Sequence, residues 1–195
     1  MAVLKYIREQ KNSHLLSLGI FEGEESVSYT VNAATYEAVE CPLRGDELDP
    51  SQLSAIKYTD RLIRARKKAL SILAFADNNR RTLTTKLARA GFDREITSIV
   101  VEEMLSRGYI DEERQLERLI LNEANVKLRG AGKLIPALVA KGYSSSDVRK
   151  VLTRLVEDGE IDFKKNAKKL LEKKLSPDAD SEEKKKLLYK NGYKV

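Results

Sequence analysis

Apolar and polar residues alternate along the first third of the chain, and from Arg61 onward apolar residues recur at three- and four-residue spacing. Alternation marks half-buried strands, whereas the second spacing marks amphipathic helices. Val3-Leu4-Lys5-Tyr6-Ile7, His14-Leu15-Leu16-Ser17-Leu18 and Ser26-Val27-Ser28-Tyr29-Thr30-Val31 read as three short strands with turns at Lys11-Asn12 and Glu22-Gly23-Glu24. A small antiparallel sheet is expected. Ala33 to Val39 reads as a short helix, Pro42 and Gly45 break the chain, and Asp49-Pro50 opens a helix toward Tyr58.

Beyond Arg61 the chain repeats itself. Gly91-Phe92 recurs as Gly142-Tyr143 and Gly192-Tyr193, at steps of 51 and 50 residues, and Gly108-Tyr109-Ile110-Asp111 recurs as Gly159-Glu160-Ile161-Asp162. Val100, Val101, Met104 and Leu105 stand at the same offset from Val151, Leu152, Leu155 and Val156, which gives each copy one buried helical face. A unit resolves into a long helix, a short helix stopped by glycine, and a third helix. In the first, a helix from Arg61 to Ala76 turns at Asn78-Asn79, a short helix carries Leu83 and Leu87, and a third runs from Asp93 to Arg107. In the second, Asp111 caps a helix running to Leu128, Gly130-Ala131-Gly132 breaks it, and Ser144 with Asp147 forms a capping pattern for the last helix. The third starts at Asp162, breaks at Ser176-Pro177-Asp178 and continues from Ser181 to Asn191.

The expected fold is therefore mainly α: tandem three-helix repeats in an elongated curved array, preceded by a small β-rich extension. The segments are a strand-rich extension with a short helix (1–58), module 1 (59–109), module 2 (110–160) and an incomplete module 3 (161–195), which lacks its last helix.

Composition narrows the function. Apolar runs are too short to span a bilayer, and the N-terminus has no basic-then-apolar signal pattern, so a cytoplasmic protein without membrane association is expected. One cysteine, Cys41, and one histidine, His14, exclude a disulfide framework and a Cys/His zinc site. Residues 1–58 hold five basic groups against nine acidic ones, a net −4, while the remainder carries 31 against 21, a net +10. That regional excess suits a polyanion or an acidic protein surface. Arg80, Arg81, Lys86 and Arg89 cluster on one short helix, and Lys127, Arg129 and Lys133 flank its counterpart in module 2, which makes these seven the candidate contact residues.

The stretch "RARKKALSILAFADNN" followed by "TTKLARAGFDREITSIVVEEMLSRGYIDEER", then "GAGKLIPALVAKGYSSSDVRKVLTRLVEDGEID" and "DFKKNAKKLLEKKL", resembles the successive modules of RecX proteins over residues 58–195. The strand-rich N-terminal stretch resembles the extension of many Gram-positive members. The resemblance implies a monomeric regulator, without cofactor or catalysis, that lies in the groove of the RecA filament on single-stranded DNA and suppresses its ATPase and strand exchange. Gln115, Leu116 and Leu119 depart from the family's pattern of aromatic residues and alanine, which bears on packing within module 2.

Other chemistry is weaker. Gly130-Ala131-Gly132-Lys133 invites a phosphate-loop reading but lacks the preceding strand, the glycine spacing and the hydroxyl residue after lysine. Asp111 and Asp162 each precede a helix and read as caps rather than as paired carboxylates. Neither His14 nor Cys41 has a partner constellation for catalysis. A helix-turn-helix DNA-binding protein is the alternative, opposed by Glu95, Glu102 and Glu103 on the helix that would face phosphates.

Overall fold

The computed structural model describes residues 1–11 and 13–194, so the turn assigned to Lys11-Asn12 lies partly outside the described residues. Three strands form where the alternation places them, β1 (Ala2–Glu9), β2 (Leu15–Glu22) and β3 (Glu25–Asn32), with a short β4 (Glu47–Leu48) added. The sheet order is β3-β2-β1-β4 with antiparallel neighbours. Leu4, Leu18, Ile20 and Val31 face one core, joined by Val39 and Ile56. After α1 (Ala33–Ala38), the helix α2 (Pro50–Phe75) is opened by an Asp49 and Gln52 capping box with proline in its first turn.

The sequence pattern places one helix up to Tyr58 and another from Arg61. They are one helix. No glycine or proline interrupts Ser51 to Phe75, and the seam is tied to the sheet by Asp60, whose carboxylate accepts the Thr30 amide at 2.8 Å and pairs with Arg64 at 2.8 Å. A break at the seam would leave that amide and a buried carboxylate without partners.

The remaining helices are α3 (Arg80–Arg89), α4 (Arg94–Ser106), α5 (Glu112–Leu121) continuing into a π-helical segment (Asn122–Val126), α6 (Ala131–Ala140), α7 (Ser145–Glu157), α8 (Phe163–Lys174) and α9 (Ser181–Lys190). The chain is thus mainly α with a small N-terminal sheet. Two compact units arise, Met1–Ala76 with Thr84–Met104, and Asp77–Leu83 with Leu105–Val195. The glycine break in module 2 is shorter than expected, because α6 already begins at Ala131 with Gly130 as its cap. Asp111 and Asp162 cap α5 and α8, accepting amides of Arg114 and of Lys164 and Lys165.

The 51-residue repeat holds in the burial pattern. Leu83 and Leu134, Leu87 and Leu138, Val100 and Val151, Val101 and Leu152, and Met104 and Leu155 are all buried. The charges that accompany these positions are exchanged. Arg66 of α2 pairs with Glu103 of α4 at 2.5 Å, and 51 residues later Glu117 of α5 pairs with Arg154 of α7 at 2.6 Å. Leu105, by contrast, is only half-buried.

Thr97 occupies the position matched by Val148, and among the described residues its hydroxyl is the buried side-chain polar atom without a hydrogen bond. Leaving a hydroxyl unpaired costs about 1–3 kcal/mol, and valine keeps the shape. Thr97→Val is expected to stabilise the protein by about 1 kcal/mol, read as a higher urea midpoint; an unchanged or lowered midpoint would show that the hydroxyl is satisfied.

Candidate partner-binding surface

α3 starts from Asn79, whose side-chain oxygen accepts the Thr82 amide at 2.8 Å and the Thr82 hydroxyl at 2.7 Å. Its amide nitrogen donates to the Lys141 carbonyl at 3.0 Å, so one buried side chain caps both the start of α3 and the end of α6. Arg80 and Arg81 sit in the first turn, where a helix prefers acids. Glu112 supplies the missing negative charge, accepting the Arg80 amide at 2.7 Å. Arg81 lies against the Gly142 turn, where a Cβ would come within 2.9 Å of its Cδ. Lys86 and Arg89 occupy the last turn of α3, the end that favours cations, and both are exposed.

The same joint recurs one module on, made from backbone. Gly130 and Gly132 donate to the carbonyls of Asn191 and Gly192 at 2.8 and 3.0 Å, and the Tyr193 hydroxyl donates to the Leu128 carbonyl at 3.0 Å. A Cβ on Gly130 would lie 2.4 Å from the Gly192 oxygen. Of the amides that a phosphate loop would offer, those of Gly130 and Gly132 are therefore spent on the C-terminal turn and that of Lys133 on the Gly130 carbonyl. Lys133 is exposed, its ammonium reaching the Lys190 carbonyl at 3.4 Å.

Lys127 and Arg129 behave differently from the surface charges expected of them. They converge on Glu123, which is 1% exposed, at 2.7 and 2.5 Å, with Lys141 at 3.9 Å. The π-helical turn widens the backbone so that Glu123 and its neighbour Ala124 are both buried. Once buried, a carboxylate requires counter-charges, and the two nearest basic residues supply them. Burial works to raise the Glu123 pKa, but the Lys127 hydrogen bond and the charges of Arg129, Lys127 and Lys141 outweigh it and hold the carboxyl below its usual range. Glu123 and Lys141 are absent from the sequence-based set, although the four-residue spacing of Glu123 and Lys127 is a legible signal of a helical ion pair. The expected departure at Gln115 is also put to use, since it accepts from the Tyr143 hydroxyl at 3.3 Å and donates to the Asn78 carbonyl at 3.4 Å, while Leu116 enters the core.

The acids of α4 are engaged as well. Glu103 pairs with Arg66, and Glu95 accepts from the Tyr58 hydroxyl at 3.2 Å. Both bind α2, which gives these acids a structural purpose.

No protein-family model matches the chain. Curated proteins named regulatory protein RecX are similar to it: that of Clostridioides difficile (strain 630) is 26% identical over 147 residues, 75% of this chain and 67% of the relative. That of Limosilactobacillus reuteri (strain DSM 20016) is 24% identical over 131 residues, 67% of this chain and 48% of the relative. The chain thus spans about half to two thirds of the curated relatives it matches. A crystal structure of a regulatory protein RecX shares the fold, with a TM-score of 0.71 at 20% identity over 100% of this chain and 95% of that one.

Two measurements test this site. A carboxylate with a lowered pKa contributes stability that is complete above the ordinary glutamate range near pH ~4.3 and lost as pH falls through the lowered folded value. Glu123→Gln is therefore expected to cost about 1–3 kcal/mol at pH 7, with the gap to wild type closing in acid; a gap constant with pH would show that the charge contributes nothing. Gly130→Ala, which forces a methyl group against backbone, is expected to cost about 1–3 kcal/mol in urea melts, whereas a neutral effect would mean that the C-terminal turn is not seated on α6.

Proposed function

Because the chain belongs to the RecX family, we propose that it is a non-enzymatic, cytoplasmic regulator that binds the RecA recombinase filament on single-stranded DNA as a monomer and lowers its ATPase and strand exchange. The likeness in both sequence and fold to proteins called regulatory protein RecX carries this reading. Among the described residues no helix is long and apolar enough to cross a membrane.

The repeated modules, 59–109, 110–160 and 161–195, are proposed as the units that meet successive parts of the filament, with Arg80, Arg81, Lys86, Arg89 and Lys133 as contacts. Lys127 and Arg129 already neutralise Glu123, so reversing them reads folding rather than binding. Regular spacing along one chain would let weak basic contacts reinforce one another, and the +10 excess beyond residue 58 supports an acidic or DNA-bearing groove as their target.

Inhibition of RecA ATPase on single-stranded DNA is the measurement. Lys86→Glu with Arg89→Glu, and Lys133→Glu separately, are each expected to raise the protein concentration needed for half inhibition several-fold, with unchanged circular dichroism. The combined variant should lose more than either, and added salt should act in the same direction. Full inhibition by a folded triple variant would assign binding to other surfaces.

A further inference from the structure

The two faces of the N-terminal sheet differ in kind. Leu4, Leu18, Ile20 and Val31 point into the core beneath it, so the residues that alternate with them point outward. On β2 these are Ser17, Gly19 and Phe21, paired with Thr30, Ser28 and Ser26 of β3. β1 carries a bulge between Leu4 and Tyr6, which lie opposite Ile20 and Gly19. The bulge brings both its extra residue, Lys5, and Tyr6 to the outer face. Lys5 stands over the exposed Phe21 ring, 4.6 Å from its centre, and Arg8 over the Tyr6 ring at 4.7 Å. The Tyr6 ring crosses β2, where a Cβ on Gly19 would come within 2.1 Å of it, and its hydroxyl reaches Ser28 of β3 at 3.2 Å.

Residues 1–58 are acidic as a whole, yet the carboxylates of β1, β2 and β3 avoid this face. Glu22 turns to α2, accepting from Lys57 and from the Tyr29 hydroxyl. Glu25 is the cross-strand partner of Glu22, and Glu9 that of Leu16, which packs on the core; cross-strand partners share a face. Glu47 of β4 stands at the far edge, beyond Val3. Past the opposite edge, Arg64, which also holds Asp60, donates to the Ser28 carbonyl at 3.4 Å, and the exposed Lys68 follows one turn on along α2.

We propose that this face binds single-stranded nucleic acid, with bases stacked on Tyr6 and Phe21 and phosphates held by Lys5 and Arg8. Tyr6 lies over Gly19, and Phe21 is two residues further along β2, about 7 Å, so neighbouring bases of an extended strand reach one ring each. An arriving base displaces the cation from its ring, and the cation turns to the adjacent phosphate. Such stacking accepts any base but needs one whose face is free, which selects single strands over duplex. Carboxylates of an acidic protein would meet the two cations and leave both rings unused, so the pairing of cation with ring favours nucleic acid. The site does not rest on the filament reading, and its test contains no recombinase, so the two fail separately.

Affinity of the full chain is measured by fluorescence anisotropy for thymine-only DNA and uracil-only RNA strands of about 12 nucleotides, each against an abasic strand of equal length. The basic modules attract the backbone of every strand alike, so the ratio of based to abasic affinity isolates stacking. A ratio of about tenfold or more is expected for DNA, RNA or both, and the strand that shows it identifies the ligand. Phe21→Ser and Tyr6→Ser should each cut that ratio several-fold with circular dichroism unchanged, and Tyr6→Phe should keep it. Photocrosslinks from iodouracil-substituted strands should fall on β1 and β2. Equal affinity for based and abasic strands, a ratio that survives Phe21→Ser in the folded protein, or crosslinks confined to α3 and α6 would overturn the proposal. Polyglutamate binding that Lys5→Gln with Arg8→Gln removes, without any base preference, would give the face to an acidic protein instead.

Discussion

The seating of α7 on α5 and α6 is what gives the second module an interior. A three-helix unit of about fifty residues has little apolar surface to bury, and without its last helix the cleft between the other two faces water. Val148, Val151, Leu152 and Leu155 fill that cleft, each side chain worth about 1.5–3 kcal/mol when buried. The ion pairs beside it, Arg154 with Glu113 and Glu117, are half-exposed and add on the order of 0.2–1 kcal/mol each. Apolar contact therefore holds the helix, and charge decides which helix belongs. The exchange of sign between Arg66 with Glu103 and Glu117 with Arg154 follows from this division: either sign serves as long as the two sides differ.

Joints between neighbouring segments obey a second requirement, that every helix end find hydrogen-bond partners. Asn79 satisfies the start of α3 and the end of α6 at once, and Gly130 with Gly132 satisfies the turn after α9. The two joints use different atoms for the same purpose. Where the side-chain amide of Asn79 does the work there is room for a side chain; where Gly130 stands, backbone meets backbone and no Cβ fits. Arg80, Arg81 and Lys133, three of the proposed contact residues, stand directly beside these joints, so their positions are fixed by backbone rather than by loops.

Glu123 shows what the basic excess can conceal. Three cations gather on one buried carboxylate, and two of them, Lys127 and Arg129, look in the sequence like surface charge. A count of lysines and arginines overstates the positive surface wherever a buried acid collects them.

The strands, the glycine stops, the aspartate caps and the apolar face of each repeat were legible in the sequence, because each depends on residues within a few positions of one another: Asp111 and Asp162 with the amides that follow them, or Val151, Leu152 and Leu155 on one turn and the next. The 51-residue register was legible too, since like cores are built from like patterns. The continuity of α2 through Tyr58 was not, for its stabilising bond runs from Asp60 to a strand thirty residues earlier. Nor was the pairing of Gly130 with Gly192, because it depends on which distant segment lies alongside, and only the packed chain decides that.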